Sequence, residues 1–185
     1  GPISSQTEQD TRHFSRFSKL PCFDPSSAQE AYEMIQEAFE YSEKYGTPVF
    51  LRPTTRVCHG YASIMVKDET EYTHHQPEGF IKDSKRWVIF PRLSFMNHKK
   101  IEARNQELSD IFSSYEKNTI HPSCDAFKDS KKGIATGGIS YTYTMETLKK
   151  TGMVKTLKIA TPHPFPEKLA VDFLSGLDEV LCLEE

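Results

Sequence analysis

The sequence lacks any apolar run near the roughly 20 residues that span a bilayer. Its first residues carry neither the basic nor the apolar segment of a secretory signal. The reading from both absences is a cytoplasmic chain with no membrane partner. Cysteine is scarce: Cys22, Cys58, Cys124 and Cys182 are the only ones among 185 residues. None lies in a C-x-x-C pair, which excludes a local zinc or iron–sulfur motif and makes scattered, reduced thiols the expectation. A surplus of one charge is also missing. Lys and Arg total 23 against 26 Asp and Glu, a net charge of −3. The two signs are interspersed, so no basic stripe points to nucleic acid. Nucleotide-binding glycine patterns are incomplete. Gly137-Gly138 has no third glycine of G-x-G-x-x-G, no P-loop Lys-Ser/Thr follows it, and no acidic residue ends a second strand where a ribose would be held. Close backbone packing is the expectation at that turn.

What is present reads as α/β. Lys19 to Phe23 is a short apolar strand stopped by Asp24-Pro25. Ser27 with Glu30 forms a capping-box pattern. Ala28, Ala31, Ile35, Ala38 and Phe39 then recur on one face, which predicts a helix ending at Gly46. Thr47 to Leu51 is apolar on both faces, as a central parallel strand is, and Pro53 blocks its extension. Periodicity fails from Val57 to Leu93, an extended connector in which Arg86 to Pro91 can lay apolar groups along a neighbouring surface. A helix with a narrow stripe follows from about Phe95 to Glu116, carrying Ile101, Leu108, Ile111, Phe112 and Tyr115. After His121-Pro122 a second unit begins. Gly133 to Thr136, Ser140 to Lys150, Leu157 to Ala160, a helix whose first turn holds Pro166, and a strand after Gly176 make β-α-β-α-β, a doubly wound parallel sheet.

Candidate chemistry from the residues alone is thin. His74 and His75 point to opposite faces of an extended segment, so a shared metal ion is not expected. His163, between two prolines, reads as a solvated loop residue that could meet a partner or ligand. The opening Ser4 to Arg12 is wholly polar: either a solvated loop before a short helix, or a loop beside a buried polar ligand. No Ser-His-Asp order or paired catalytic carboxylate can be argued from spacing.

Ser4-Ser5-Gln6-Thr7-Glu8-Gln9-Asp10-Thr11-Arg12, then Glu43 to Val49 and Leu51-Arg52-Pro53-Thr54-Thr55-Arg56-Val57-Cys58-His59, resemble the latter part of the pyrimidine-binding domain of indolepyruvate ferredoxin oxidoreductase alpha subunits. Phe80 to Asp83 with Arg86-Trp87-Val88 resembles that family's connector. Gly133-Ile134, Gly137-Gly138, Tyr141, Pro164 to Glu167 and Leu177 to Val180 are similar to the start of its transketolase C-terminal-like domain. The matching pieces keep their order along nearly the whole chain.

The resemblance implies an internal piece of a longer alpha subunit. Residues 1–60 would close a thiamine pyrimidine-binding domain, 61–118 form an extended connector and linker helix, and 119–185 begin a Rossmann-like, transketolase C-terminal-like domain with a parallel sheet. The two sheets should stay separate, and their apolar edges should promote self-association. The family oxidises arylpyruvates to aryl-acetyl-CoA and passes electrons to ferredoxin, with a beta subunit as partner and thiamine diphosphate, Mg2+ and iron–sulfur clusters as cofactors. The family's activating glutamate, diphosphate and Mg2+ motif and cluster cysteines have no counterpart here, so the piece alone is expected to be inactive and to bind none of them. Members acting on pyruvate or 2-oxoglutarate share the scaffold, and a free-standing binding module is the reading from another class. By resemblance, Gln6, Glu8, Asp10 and Arg12 face the substrate or a partner subunit, and the Arg12 guanidinium can grip a 2-oxoacid carboxylate or pair with Glu8 or Asp10.

Overall fold

The computed structural model describes residues 11–72 and 74–185. A short helix α1 (Phe14–Ser18) leads into strand β1 (Cys22–Phe23), helix α2 (Ala28–Tyr45), strand β2 (Phe50–Leu51) and the one-turn helix α3 (Thr55–Cys58). The strands β1 and β2 pair in parallel. Prolines 21, 25, 48 and 53 bracket them, and a proline cannot donate to a ladder, so each strand stays two residues long.

Helix α2 starts where expected, because the Ser27 hydroxyl accepts from the Glu30 N–H at 3.2 Å. The other half of the capping box is rerouted. The Glu30 carboxylate accepts from the N–H and hydroxyl of Ser26 at 2.9 and 2.7 Å, and its second oxygen pairs with Lys158 of the distal sheet. Burial opposes the Glu30 charge, yet the Lys158 ammonium together with the hydrogen bonds from Lys158 and Ser26 outweighs it and holds the Glu30 pKa below the usual range.

From Cys58 to Phe90 the described chain is largely exposed and forms no strand, only a one-turn helix α4 (Ser84–Trp87) and a single 3-10 turn at Glu69–Glu71. Its part from Met65 to Tyr72 is laid along α2. Met65 exchanges two hydrogen bonds with the Gln29 amide, at 2.6 and 3.2 Å. The Tyr32 hydroxyl accepts from the Lys67 N–H at 2.9 Å and meets the Tyr72 hydroxyl at 2.5 Å. Tyr61, Phe80 and Phe90 remain exposed.

Helix α5 (Pro91–Phe112) begins at Pro91 rather than Phe95, since proline suits the first helical position, and stops short of the expected Glu116. Of the expected stripe, Leu108 and Phe112 are fully buried and join Phe23, Met34, Ala38 and Ala160 in one core. That core takes residues from both halves of the chain.

Beyond it lie β3 (Thr119–His121), β4 (Lys132–Gly137), α6 (Gly138–Thr151), β5 (Lys155–Ile159), α7 (Glu167–Leu174) and β6 (Glu179–Leu183). Their sheet has the order β3-β5-β4-β6. The strands β4, β5 and β6 run parallel, as expected for an α/β unit, but β3 adds an antiparallel edge that makes the sheet mixed rather than purely parallel. Right-handed crossovers from β4 to β5, and from β5 back to the far side of β4, put α6 and α7 on opposite faces, the doubly wound arrangement. Pro166 caps α7 rather than entering its first turn.

The two sheets share no strand, yet they abut. The N–H groups of Cys22 and Asp24 donate to the carbonyls of His163 and Ala160 at 2.7 and 2.8 Å. Strand β6 lies at the sheet edge with Leu181 exposed.

Candidate functional site

The parallel register pairs Phe23 with Leu51, so the next residues, Asp24 and Arg52, emerge side by side at the carboxyl ends of β1 and β2. Arg52 Nη1 donates to Asp24 Oδ2 at 2.8 Å. Its Nε donates to Thr11 Oγ1 at 3.1 Å and its Nη2 to the Glu185 carbonyl at 2.9 Å. One guanidinium thus ties the opening segment, the end of β1 and the residues after β6. Burial pushes the Asp24 pKa up to about 6, against the lowering pull of the Arg52 charge.

The glycine pair sits across from this carboxylate. Strand β4 ends at Gly137 and α6 begins at Gly138, whose φ is +49°. A Cβ on Gly137 would stand 2.5 Å from the Ile159 carbonyl oxygen, and one on Gly138 would stand 3.1 and 3.2 Å from the two Asp24 oxygens. Both glycines are there for close approach, as the sequence reading held. At Gly138 the approaching group is a carboxylate from the other sheet, seated at the positive end of the α6 dipole.

A cleft of about 310 Å³ opens at this junction, with Arg12, Asp24, Arg52, Thr54, Thr136 and Glu184 in its wall. It lies at the carboxyl ends of both sets of parallel strands, where open α/β sheets present ligand sites. Of the expected loop residues, Gln6, Glu8 and Asp10 lie outside the described residues. Arg12 is on the cleft wall, half exposed, with Nη1 3.5 Å from Glu184 Oε2. Asp24 and Arg52 carried no role in the sequence reading. The available signal was two predicted parallel strands ending in Asp24 and Arg52, which parallel pairing sets next to each other.

The remaining candidates are structural. His163 is half-buried rather than solvated: its carbonyl accepts from Cys22, its Nε2 lies 3.5 Å from the Asn105 amide, and burial lowers its pKa with help from Lys19, Arg16 and Arg104. His74 and His75 are exposed. The buried Cys22 thiol is pushed up to about 12 by burial, and all four cysteines are free. Among the described residues no group of three His, Cys, Asp or Glu is placed to hold a metal ion, and no helix is long and apolar enough to cross a membrane.

No family model matches the sequence. The chain is similar to indolepyruvate oxidoreductase subunit IorA of Methanothermobacter thermautotrophicus, 38% identical over 185 residues, which is 99% of this chain and 29% of the relative. The same subunit of Pyrococcus abyssi is 37% identical over 98% of this chain and 28% of the relative. That of Archaeoglobus fulgidus is 32% identical over 98% of this chain and 28% of the relative. The chain therefore spans under a third of the length of these relatives.

Proposed function

Since this chain belongs with the IorA subunits of indolepyruvate oxidoreductase, matching one stretch of them along its length, we propose that it serves as part of the alpha subunit of an indolepyruvate ferredoxin oxidoreductase. In this reading the assembled enzyme oxidatively decarboxylates arylpyruvates to aryl-acetyl-CoA and passes the electrons to ferredoxin in the cytoplasm. Residues 1–60 close a pyrimidine-binding domain, 61–118 link, and 119–185 begin a transketolase C-terminal-like domain. The observation that carries the proposal is the match over at least 98% of the chain to proteins named as indolepyruvate oxidoreductase subunits. A subunit name also supports a partner, taken here to be the beta subunit.

Among the described residues no group of His, Cys, Asp or Glu is placed to hold Mg2+ or an iron–sulfur cluster. The described carboxylates, histidines and cysteines are dispersed, and the start of α6, the one glycine-lined helix start at the cleft, is already covered by Asp24. Thiamine diphosphate, Mg2+ and the clusters therefore belong, in this proposal, to other parts of the enzyme. The contribution assigned to this stretch is binding and orientation. Arg12, on the cleft wall, holds the carboxylate of the 2-oxoacid, because a guanidinium offers two parallel donors to one carboxylate. The test uses the full-length, assembled enzyme. Arg12→Lys keeps the charge but loses the fork, so it should raise KM for indolepyruvate or lower turnover by about tenfold or more. Unchanged kinetics in a normally folded variant would make Arg12 a structural residue.

A further inference from the structure

Among the described residues from Cys58 to Phe90 none is buried, and none joins either hydrophobic core. The connector nevertheless holds large apolar groups. Phe80 is 90% exposed, and Trp87, Ile89 and Phe90 are more than half exposed. A contiguous apolar stretch of this kind marks a surface that another molecule covers, and Trp, Phe and Arg are residue types that interfaces concentrate.

The charges of the connector are sorted. From Asp68 to Glu78 there are four acidic residues, Asp68, Glu69, Glu71 and Glu78, and no Lys or Arg. From Lys82 to Arg92 there are four basic residues, Lys82, Lys85, Arg86 and Arg92, against the one acid Asp83. The two blocks are equally long and equally distant from Phe80. Asp68 and Glu71 close their own 3-10 turn, and Arg86 lies 4.5 Å from the centre of the Trp87 ring. Among the described residues no acid of the first block forms an ion pair with a base of the second.

This order of charge selects the occupant. A lipid surface or a nucleic acid is anionic, so it would be drawn to the basic block and repelled by the acidic block beside it. A partner that engages both blocks must present them in the opposite order, and a second copy of the same segment does so when it runs the other way. In an isologous contact residue i meets j and j meets i, so a segment acidic before its centre and basic after it complements itself about a two-fold axis. A standard interface takes about 20–30 residues from each side, and the connector supplies a stretch of that length.

We propose that the connector is a pairing surface for a second copy of this chain. The two connectors run antiparallel about an axis through Phe80, the acidic block of one lies against the basic block of the other, and the exposed aromatic residues pack between them. The inference does not use the oxidoreductase reading, and its test reads mass rather than activity.

The experiment measures the molar mass of the full-length protein by light scattering and sedimentation over a range of concentrations. A pair of copies is expected. Glu78 and Lys82, the inner charges of the two blocks, face each other twice in such a pair, so Glu78→Lys or Lys82→Glu should each weaken pairing about tenfold or more through like-charge contact. Mixing these two variants restores opposite charges at both contacts, and mixed pairs should form in preference to like pairs. Phe80→Cys places a thiol beside its own copy, so mild oxidation should link two chains well above the wild-type level. Phe39→Cys, on the exposed face of α2, should not. A single copy per particle, unchanged pairing in both charge variants, like pairs as abundant as mixed ones, or a Phe80→Cys link no more abundant than that of Phe39→Cys would each overturn the proposal. So would loss of an unlike subunit, or of binding to anionic vesicles, in place of the second copy.

Discussion

At the residue scale the molecule turns on one buried ion pair. Asp24 and Arg52 are both mostly shielded from water, with side chains 9% and 17% exposed. A buried pair adds little net stability while intact, but removing one partner strands the other charge, at about 3–5 kcal/mol. Arg52→Ala should lower the unfolding free energy in urea by that amount. A loss within the range of an ordinary surface change would show that Asp24 finds another partner. The pH dependence has a definite sign. The folded-state pKa of Asp24 is raised from 3.8 to about 6 by burial, so the folded chain binds this proton more tightly than the unfolded one. Its contribution to stability is fully present below pH about 4 and declines as the pH rises to about 6. Relative to wild type, Asp24→Asn should therefore look progressively better across that window. A pH-independent difference between the two would contradict the raised pKa. Gly138→Ala forces a side chain onto a left-handed backbone and against the Asp24 carboxylate, and a loss of about 1–3 kcal/mol is expected by thermal unfolding. Part of this site was legible in the sequence. The glycine pair was readable as a turn built for close packing, and Arg12 was singled out only by resemblance. Asp24 and Arg52 are 28 residues apart, and their meeting depends on parallel pairing, which no local pattern encodes.

At the element scale, Asn118 shows what fixes the long helix to the second sheet. Its Oδ1 accepts from the N–H groups of Ala160 and Thr161 at 2.6 and 3.2 Å, and its Nδ2 donates to the Phe112 carbonyl at 2.8 Å and to Thr161 Oγ1 at 2.6 Å. One buried amide thereby connects the end of α5 to the end of β5. Asn118→Ala leaves those buried groups without partners, at about 1–3 kcal/mol for each one left unsatisfied. Hydrogen exchange at Ala160 and Thr161 should quicken, and unaltered protection would show that water replaces the side chain. Helices α2 and α6 were readable because apolar residues recur at helical spacing between a cap and a glycine. Strand β3 was not readable: three residues between Asn118 and Pro122 carry too little pattern, and only pairing with β5 makes Thr119–His121 a strand. The start of α5 was misplaced because Phe90 to Phe95 contributes exposed apolar residues, which a core-facing stripe does not include.

At the scale of the whole molecule, the α/β class followed from alternating strands and helices. The contact between the halves did not. The core formed by Phe23, Met34, Leu108, Phe112 and Ala160 draws on segments before, within and after the long helix, and periodicity in each segment says only that it buries a face. The cleft arises from that same contact, since its acid and base come from the first sheet and its glycines from the second. The proposed activity reaches further, to the assembled enzyme. It is tested most directly by anaerobic assay of the full-length alpha subunit with its beta subunit, supplied with thiamine diphosphate, coenzyme A and ferredoxin. Indolepyruvate should drive ferredoxin reduction with a kcat/KM at least about tenfold above that for pyruvate or 2-oxoglutarate, a difference of roughly 1.4 kcal/mol in transition-state binding. Ferredoxin reduction driven as well or better by pyruvate or 2-oxoglutarate, or no 2-oxoacid oxidation by a correctly assembled enzyme, would contradict it.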